Sequence, residues 1–124
     1  MEKLSILIVD DEEELVFTLA ERLEFRGMQA HAVINGGEAI KKLEKNNYDV
    51  MVIDMKMPGL NGMELLNIAK HVQPHIKVIL ITGHGTSEEG AKGRSLGAYD
   101  YLVKPIKIDR LVEKIKSATG DKEG

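Results

Sequence analysis

The 124-residue chain predicts a three-layer α/β fold, a parallel sheet with helices on both faces. Three observations carry that expectation. Short apolar runs rich in β-branched residues recur at 6–9, 50–53, 78–81 and 101–103, each too short for a helix. One-sided helical patterns separate them. The first, third and fourth runs are apolar at consecutive positions instead of alternating, as expected of strands covered on both faces.

The elements follow in order. The first strand leads into the pattern Leu15, Val16, Leu19, Ala20 and Leu23, which Gly27 stops. Residues 28–33, MQAHAV, form a strand of another kind, because Gln29 and His31 among apolar neighbours indicate an edge strand with one wetter face. Gly36-Gly37 turn the chain into a second helix carrying Ala39, Ile40 and Leu43. The strand at 50–53 precedes a third helix built on Met63, Leu66, Ile68 and Ala69 and ended by Pro74. After the strand at 78–81 comes GHGTSEEGAKGRSLG, where Gly90 and Gly93 each cost a helix about 1 kcal/mol relative to alanine. A short or mobile fourth helix is expected there, unless packing against a neighbour demands small residues. The strand at 101–103 and a last helix with Ile108, Leu111, Val112 and Ile115 complete five strand–helix units. Such alternation implies right-handed crossovers and, for five units, a doubly wound, flavodoxin-like (βα)5 sheet of order 2-1-3-4-5. The segment after Ala118, TGDKEG, is polar and expected to fray.

Composition narrows the classes. With 43% hydrophobic and 30% charged residues and a net charge of -3, the chain is neither a disordered, a membrane nor a coiled-coil segment, and direct nucleic-acid binding is not favoured. No apolar stretch approaches the ~20 residues of a bilayer span, and the N-terminus lacks the pattern of a signal peptide, so a cytoplasmic location is expected. The absence of cysteine removes disulfides, thiol nucleophiles and zinc-thiolate sites together. Any chemistry must come from oxygen and nitrogen groups.

In an open parallel sheet, ligands bind at the carboxyl ends of the strands, above all where the strand order reverses. Those ends carry Asp10-Asp11, Asp54, Thr82 and Lys104-Pro105. In order 2-1-3-4-5 the first and third strands are neighbours about 4.8 Å apart, which brings three carboxylates together. Two unit charges ~5 Å apart at an effective dielectric of about 20 repel by roughly 3 kcal/mol, so the cluster needs a cation or a proton. Carboxylates with a backbone carbonyl and waters suit Mg²⁺. Lys104, two strands beyond Asp54, has the length to reach back across about 10 Å, and the Thr82 hydroxyl can donate to an oxygen above the metal. Metal, ammonium and hydroxyl around one carboxylate are the elements that stabilise phosphoryl transfer, with Asp54 as nucleophile. Taken singly, the acids of DDEEE would cap a helix, and Asp54, Thr82 and Lys104 would mean little. Their conjunction at four strand ends carries the argument.

The blocks ILIVDDE, VIDMKMPGLNGMELL, VILITGHG and GAYDYLVKP, in this order and spacing, resemble the receiver domains of two-component response regulators over essentially the whole chain. The resemblance implies one receiver domain over 1–119 followed by a polar C-terminal tail, 120–124. It implies that Asp54 accepts a phosphoryl group from the histidine of a sensor kinase or phosphotransfer protein. Mg²⁺ would be held by Asp11, Asp54, the backbone carbonyl of Lys56 and, largely through water, Asp10. Lys104 and Thr82 would hold the phosphoryl oxygens. Lys104-Pro105 is similar to a bond that in such domains is usually cis, against a base rate of ~5% for X-Pro. Tyr101 matches an aromatic switch that turns inward as Thr82 moves toward the phosphate. The readout surface would be the fourth helix, fifth strand and fifth helix, facing an output domain or partner or forming a homodimer.

The sequence departs from the family at Gly83, where alanine is more usual. Lys56 and His84 match positions that tune the lifetime of the phosphoryl group, and TGHG looks like the receivers of enhancer-binding transcription regulators. A signalling module of this kind catalyses only its own phosphorylation and dephosphorylation. The rival from another class is a Mg²⁺-dependent phosphohydrolase with an aspartyl nucleophile. Such enzymes usually carry a second acid two residues after the nucleophile, where Lys56 stands here, and a substrate cap. A pseudo-receiver that only docks proteins would not need the intact site. His71 and His75 are separated by Pro74 and read as surface histidines, and Lys107, Arg110, Lys114 and Lys116 as a solvated or docking face of the last helix.

Overall fold

The computed structural model describes the backbone of residues 3–83 and 87–120 and the side chains of 3–83 and 91–120. Five strands and five helices alternate: β1 Ser5–Val9, α1 Glu13–Phe25, β2 Gln29–Val33, α2 Gly36–Lys45, β3 Val50–Asp54, α3 Gly62–Val72, β4 Lys77–Thr82, α4 Ser87–Ser95, β5 Asp100–Val103 and α5 Ile108–Thr119. All strand pairs are parallel and the order is β2-β1-β3-β4-β5, the doubly wound arrangement expected.

Consecutive apolar residues in β1, β3 and β4 are explained by the pleat, which sends alternate side chains to opposite faces. Leu7, Val9, Met51, Ile53, Val78 and Leu80 pack with Ala39, Leu43, Leu65, Leu66 and Ala69 on the side of α2 and α3. Ile6, Ile8, Val50, Val52, Ile79 and Ile81 pack with Val16, Leu19, Leu23, Leu111 and Ile115 under α1 and α5. β5 does not follow the expectation of a strand covered on both faces: Tyr101 is half-buried and Val103 is 40% exposed. The cause is its position at the end of the sheet, where consecutive apolar residues have only β4 beside them.

The glycines resolve into specific roles. Gly36 and Gly37 are not a turn before α2 but its first helical residues, capped by Asn35, whose Oδ1 accepts from the Glu38 N–H at 2.8 Å. A Cβ on Gly36 would lie 2.7 Å from Leu60 Cδ2. In α4, which at nine residues is the shortest of the five helices, a Cβ on Gly93 would lie 2.3 Å from Leu80 Cδ1. Close packing on the core is therefore the reason for at least that glycine. α5 runs through Thr119, and Gly120 closes it in the left-handed region at φ 78°, so of the segment expected to fray Thr119 is helical and Gly120 is its cap. Residues 121–124 lie outside the described residues, as does His84.

Both rims of the sheet are fixed, by different means. At the carboxyl rim, Gly59 adopts φ +82°, and Asn61 and Glu64 form a reciprocal capping box at the start of α3, 2.9 and 3.2 Å. Gly62 then lets the first turn of α3 press on the end of β3, where a Cβ would meet Met55 Cα at 2.6 Å and Asp54 O at 2.9 Å. At the amino rim, the Gln73 amide accepts from Tyr48 N–H at 3.0 Å and donates to Leu43 O and Asn46 O at 2.8 and 2.6 Å. Asp49 ties three strands, since its carboxylate and N–H pair with Ser5 and its carbonyl accepts from Lys77 N–H.

Gly62→Ala is expected to cost about 1–3 kcal/mol by overpacking, because the opposing atoms are backbone. Gly93→Ala should cost less, since Leu80 can rotate and alanine recovers about 1 kcal/mol of helix propensity. Urea denaturation of the two variants checks this ranking; a Gly62→Ala protein as stable as wild type contradicts the packing argument.

Candidate functional site

The carboxyl ends of β1, β3, β4 and β5 place Asp10, Asp54, Thr82 and Lys104 on one rim. Asp10 follows β1 directly, and its N–H donates to Val33 O at 3.2 Å. Asp54 ends β3 opposite Ile81, Thr82 ends β4, and Lys104 follows β5 with its N–H donating to Thr82 O at 2.9 Å. Asp10, Asp54 and Thr82 are the buried polar residues among the described ones, at 0%, 5% and 1% exposure. The central strands β1, β3 and β4 are apolar wherever both faces are covered, and their buried polar side chains stand at this end.

Asp10, Asp11 and Asp54 each present a carboxylate oxygen within 4.8 Å of the others. Asp10 Oδ1 accepts the Glu12 N–H at 2.9 Å, whereas its buried Oδ2 accepts no hydrogen bond among the described residues. Asp54 Oδ1 accepts the Lys56 N–H at 3.2 Å, which fixes the Lys56 peptide beside the cluster. Lys104 Nζ stands 3.5 Å from both Asp10 Oδ2 and Asp54 Oδ2, and it hydrogen-bonds Glu12 Oε1. Among the described residues it is the only cation within ion-pair distance of these acids.

The charges do not balance. Burial, with the nearby Asp54 and Glu12 charges adding to it, pushes Asp10 up to about 6 against the Glu12 N–H and Lys104, which act the other way. Burial alone would lower Lys104, but the Glu12 hydrogen bond and the Asp10 and Asp54 carboxylates together raise it. An orphaned buried oxygen among three clustered carboxylates is the donor set of a hard divalent cation, and the residues present fit one.

Asp100, at the start of β5, shows the opposite balance. Its burial would raise it, yet hydrogen bonds from Lys114, at 2.5 Å, and from Arg94, with the Tyr101 N–H, bring it down to about 2. The Arg94 guanidinium also lies 5.4 Å from the centre of the Tyr101 ring, on the face formed by α4, β5 and α5. The Lys104–Pro105 bond is cis. Sequence reasoning missed two sets of pairings, Glu12 with Lys104 and both Arg94 and Lys114 with Asp100, so Lys114 is tied to β5 and is not simply part of a solvated face. The only signal for the first was a third acid directly after Asp10-Asp11; for the second there was none, because the partners sit on different elements. His71 and His75 are exposed, at the end of α3 and in the turn after it.

A raised carboxyl has a signed consequence. In the metal-free protein the Asp10 charge destabilises the fold above about pH 6, and the penalty is relieved as the pH falls from about 6 toward the ordinary 3.8. Asp10→Asn should therefore stabilise the metal-free protein at pH 7, by about 1–3 kcal/mol. The gain should shrink as the pH falls through 6 to 4. Thermal melts of both proteins in chelator across that range check it; a pH-independent difference would reject the assignment.

Comparison with known proteins agrees with this geometry. Residues 6–116 match the family model of the response regulator receiver domain. A CheY-like response regulator receiver domain from Methanospirillum hungatei JF-1 superposes with a TM-score of 0.90 at 33% identity, covering 99% of this chain and 100% of that one. The transcriptional regulatory protein YkoG of Bacillus subtilis (strain 168) is 34% identical over 118 residues, 95% of this chain and 52% of the relative. A putative NtrX-like response regulator of Rickettsia felis is 36% identical over 120 residues, again 95% of this chain but 25% of the relative. The chain thus spans about half of the first of these relatives and a quarter of the second. With its fold, its aspartate cluster and its sequence in agreement, the chain belongs to the receiver domains of two-component response regulators.

Proposed function

We propose that Asp54 is the phosphoacceptor of this receiver domain and that residues 1–119 form the switching unit, with 120–124 a short polar tail. One observation carries the reading. Asp54 is a nearly buried carboxylate at the end of β3, with one oxygen held by the Lys56 N–H and the other facing the Lys104 ammonium. That second oxygen is oriented to attack, and the charge that develops opposite it is met by a cation already in place.

The donor is the phosphohistidine of a sensor kinase or phosphotransfer protein. The Asp54 oxygen attacks phosphorus, the P–N bond breaks, and the histidine nitrogen leaves with its electron pair and takes a proton. Water later cleaves the acyl phosphate, returning the carboxylate and inorganic phosphate. Asp10, Asp11, Asp54 and the Lys56 carbonyl would hold Mg²⁺, which when bound supplies positive charge for the phosphoryl oxygens. Lys104 donates to one of those oxygens and Thr82 to another. Ionised Asp10 carries a burial penalty at neutral pH that a cation beside it would relieve, which couples metal binding to the stability of the site.

The output follows from where the donors sit. Thr82 ends β4 beside Val103, and Tyr101 is two residues further from the rim, against Arg94 of α4. Movement of Thr82 toward the phosphoryl group opens room for the Tyr101 ring, which loosens its contact with Arg94 and changes the α4–β5–α5 face. The groove there is lined by Arg94, Tyr101, Val103, Lys107, Arg110 and Lys114, a surface for an output domain, a partner protein or a second copy. The module acts in the cytoplasm, contacts nucleic acid only through what it is joined to or binds, and turns over no separate metabolite. No helix among the described residues is long and apolar enough to cross a membrane.

Incubation with acetyl phosphate and Mg²⁺, read by intact mass, should add one phosphoryl group to wild type and none to Asp54→Asn. Omission of Mg²⁺ should abolish the addition. Label that persists in Asp54→Asn, or multiple turnover of a phosphate ester in place of a single addition, would overturn the reading in favour of another acceptor or a phosphohydrolase.

A further inference from the structure

Glu12 occupies the N-cap position of α1, yet its side chain makes no capping hydrogen bond. Its N–H donates to Asp10 Oδ1 at 2.9 Å, and its carboxylate crosses the rim to accept from Lys104 Nζ, a residue 92 positions away. Lys104 Nζ is 3.5 Å from Asp10 Oδ2 and Asp54 Oδ2, within ion-pair reach but long for a hydrogen bond. Of the acids paired with this ammonium, the one that takes its hydrogen bond is therefore the most exposed, Glu12, at 60% side-chain exposure.

We propose that Glu12 is a positioning residue that takes the hydrogen bond of Lys104 in the resting domain and leaves the ammonium beside Asp54 at ion-pair distance only, so that phosphorylation proceeds by transfer of that hydrogen bond from Glu12 to a phosphoryl oxygen. The inference rests on the assignment of Asp54 as phosphoacceptor.

The exchange has a physical basis at both ends. A lysine ammonium has three donors on a flexible stem, so it can leave one acceptor for another without rearranging the backbone. A phosphoryl group on Asp54 carries about -1.5 to -2 charge and several acceptor oxygens, more than one exposed carboxylate offers. Glu12 is screened by solvent, so its hold on Lys104 is weak enough to be broken. It is still a competing anion in the resting state, and removing it should favour the phosphoryl-bound state by about two- to fivefold. Glu12 is itself held by Asp10, whose Oδ1 fixes the backbone from which its side chain departs. The metal-side acid and the resting lysine are thereby parts of one arrangement.

The test uses beryllofluoride, an anionic mimic of the phosphoryl group, with Mg²⁺ and the full chain. Glu12→Gln keeps the length of the side chain and removes its charge. It should bind beryllofluoride about two- to fivefold more tightly than wild type. In a Lys104→Gln background the same change should give little or no gain. The ¹⁵N resonance of the Lys104 ammonium, a readout that altered folding alone would not move selectively, should differ between wild type and Glu12→Gln in the free proteins. That difference should vanish once both are bound.

Unchanged affinity, an equal gain with and without Lys104, or a resonance difference that persists in the bound state would each overturn the proposal. Where Lys104→Gln binds too weakly to titrate, the resonance comparison decides. Wild type that neither binds beryllofluoride nor takes a phosphoryl group on Asp54 would fail the phosphoacceptor reading itself. Normal wild-type binding with an indifferent Glu12→Gln would reject only the role of Glu12.

Discussion

Negative charge buried at the junction of β1 and β3 is the constraint on which this domain is organised. Asp10 is fully buried with an oxygen that nothing among the described residues hydrogen-bonds, and two more carboxylates stand within 4.8 Å. A buried carboxylate with an unsatisfied oxygen and only a shared cation disfavours its own ionisation and the folded state with it. The rest of the structure holds the cluster against that tendency. β1 and β3 are covered on both faces, α3 is braced on the end of β3 through Gly62, and Lys104 is brought across from β5 as the counter-charge.

Two aspartates separate structural from functional electrostatics. Asp100 has two cationic partners and a backbone donor, and its carboxyl falls to about 2. Asp10 has one cation shared with Asp54 and Glu12, and rises to about 6. The first pairing is satisfied and ties β5 to its flanking helices. The second is left short of positive charge, so a divalent cation finds there interactions that the folded chain has not already used up.

How much of this was legible in the sequence depended on whether the signal was periodic or local. Apolar runs and their spacing were enough for the strand order, because a strand buried on both faces leaves no choice of environment. Asp10, Asp54, Thr82 and Lys104 were legible because each ends such a run. The misread element was β5: Tyr101, Leu102 and Val103 look like a central strand by composition, and only the topology shows that one side of the sheet ends there. Gly36 was read as part of a turn, although Leu60 makes it a packing residue, and at Gly93, where helix weakening and close packing were both open, the contact with Leu80 decides for packing. The bond between Glu12 and Lys104 was invisible, since nothing in a run of five acids tells which one turns away from its own helix.

The hydrogen bonds at the opposite rim have a mechanical meaning. Gln73 joins the ends of α2 and α3 to the start of β3 with a single amide, and Asp49 links the first residues of β1 and β4. These ties lie a full strand length from the acids, so the register of the sheet is set at the end opposite the aspartate cluster, independently of the capping box and the Gly62 contact that brace the carboxyl rim. A small displacement there cannot be absorbed by sliding the strands against one another. It falls instead on an edge strand, and β5, the shorter of the two edges at four residues, is tied to its helices at the amino end by Asp100 while Val103 at its other end, beside Thr82, is left exposed.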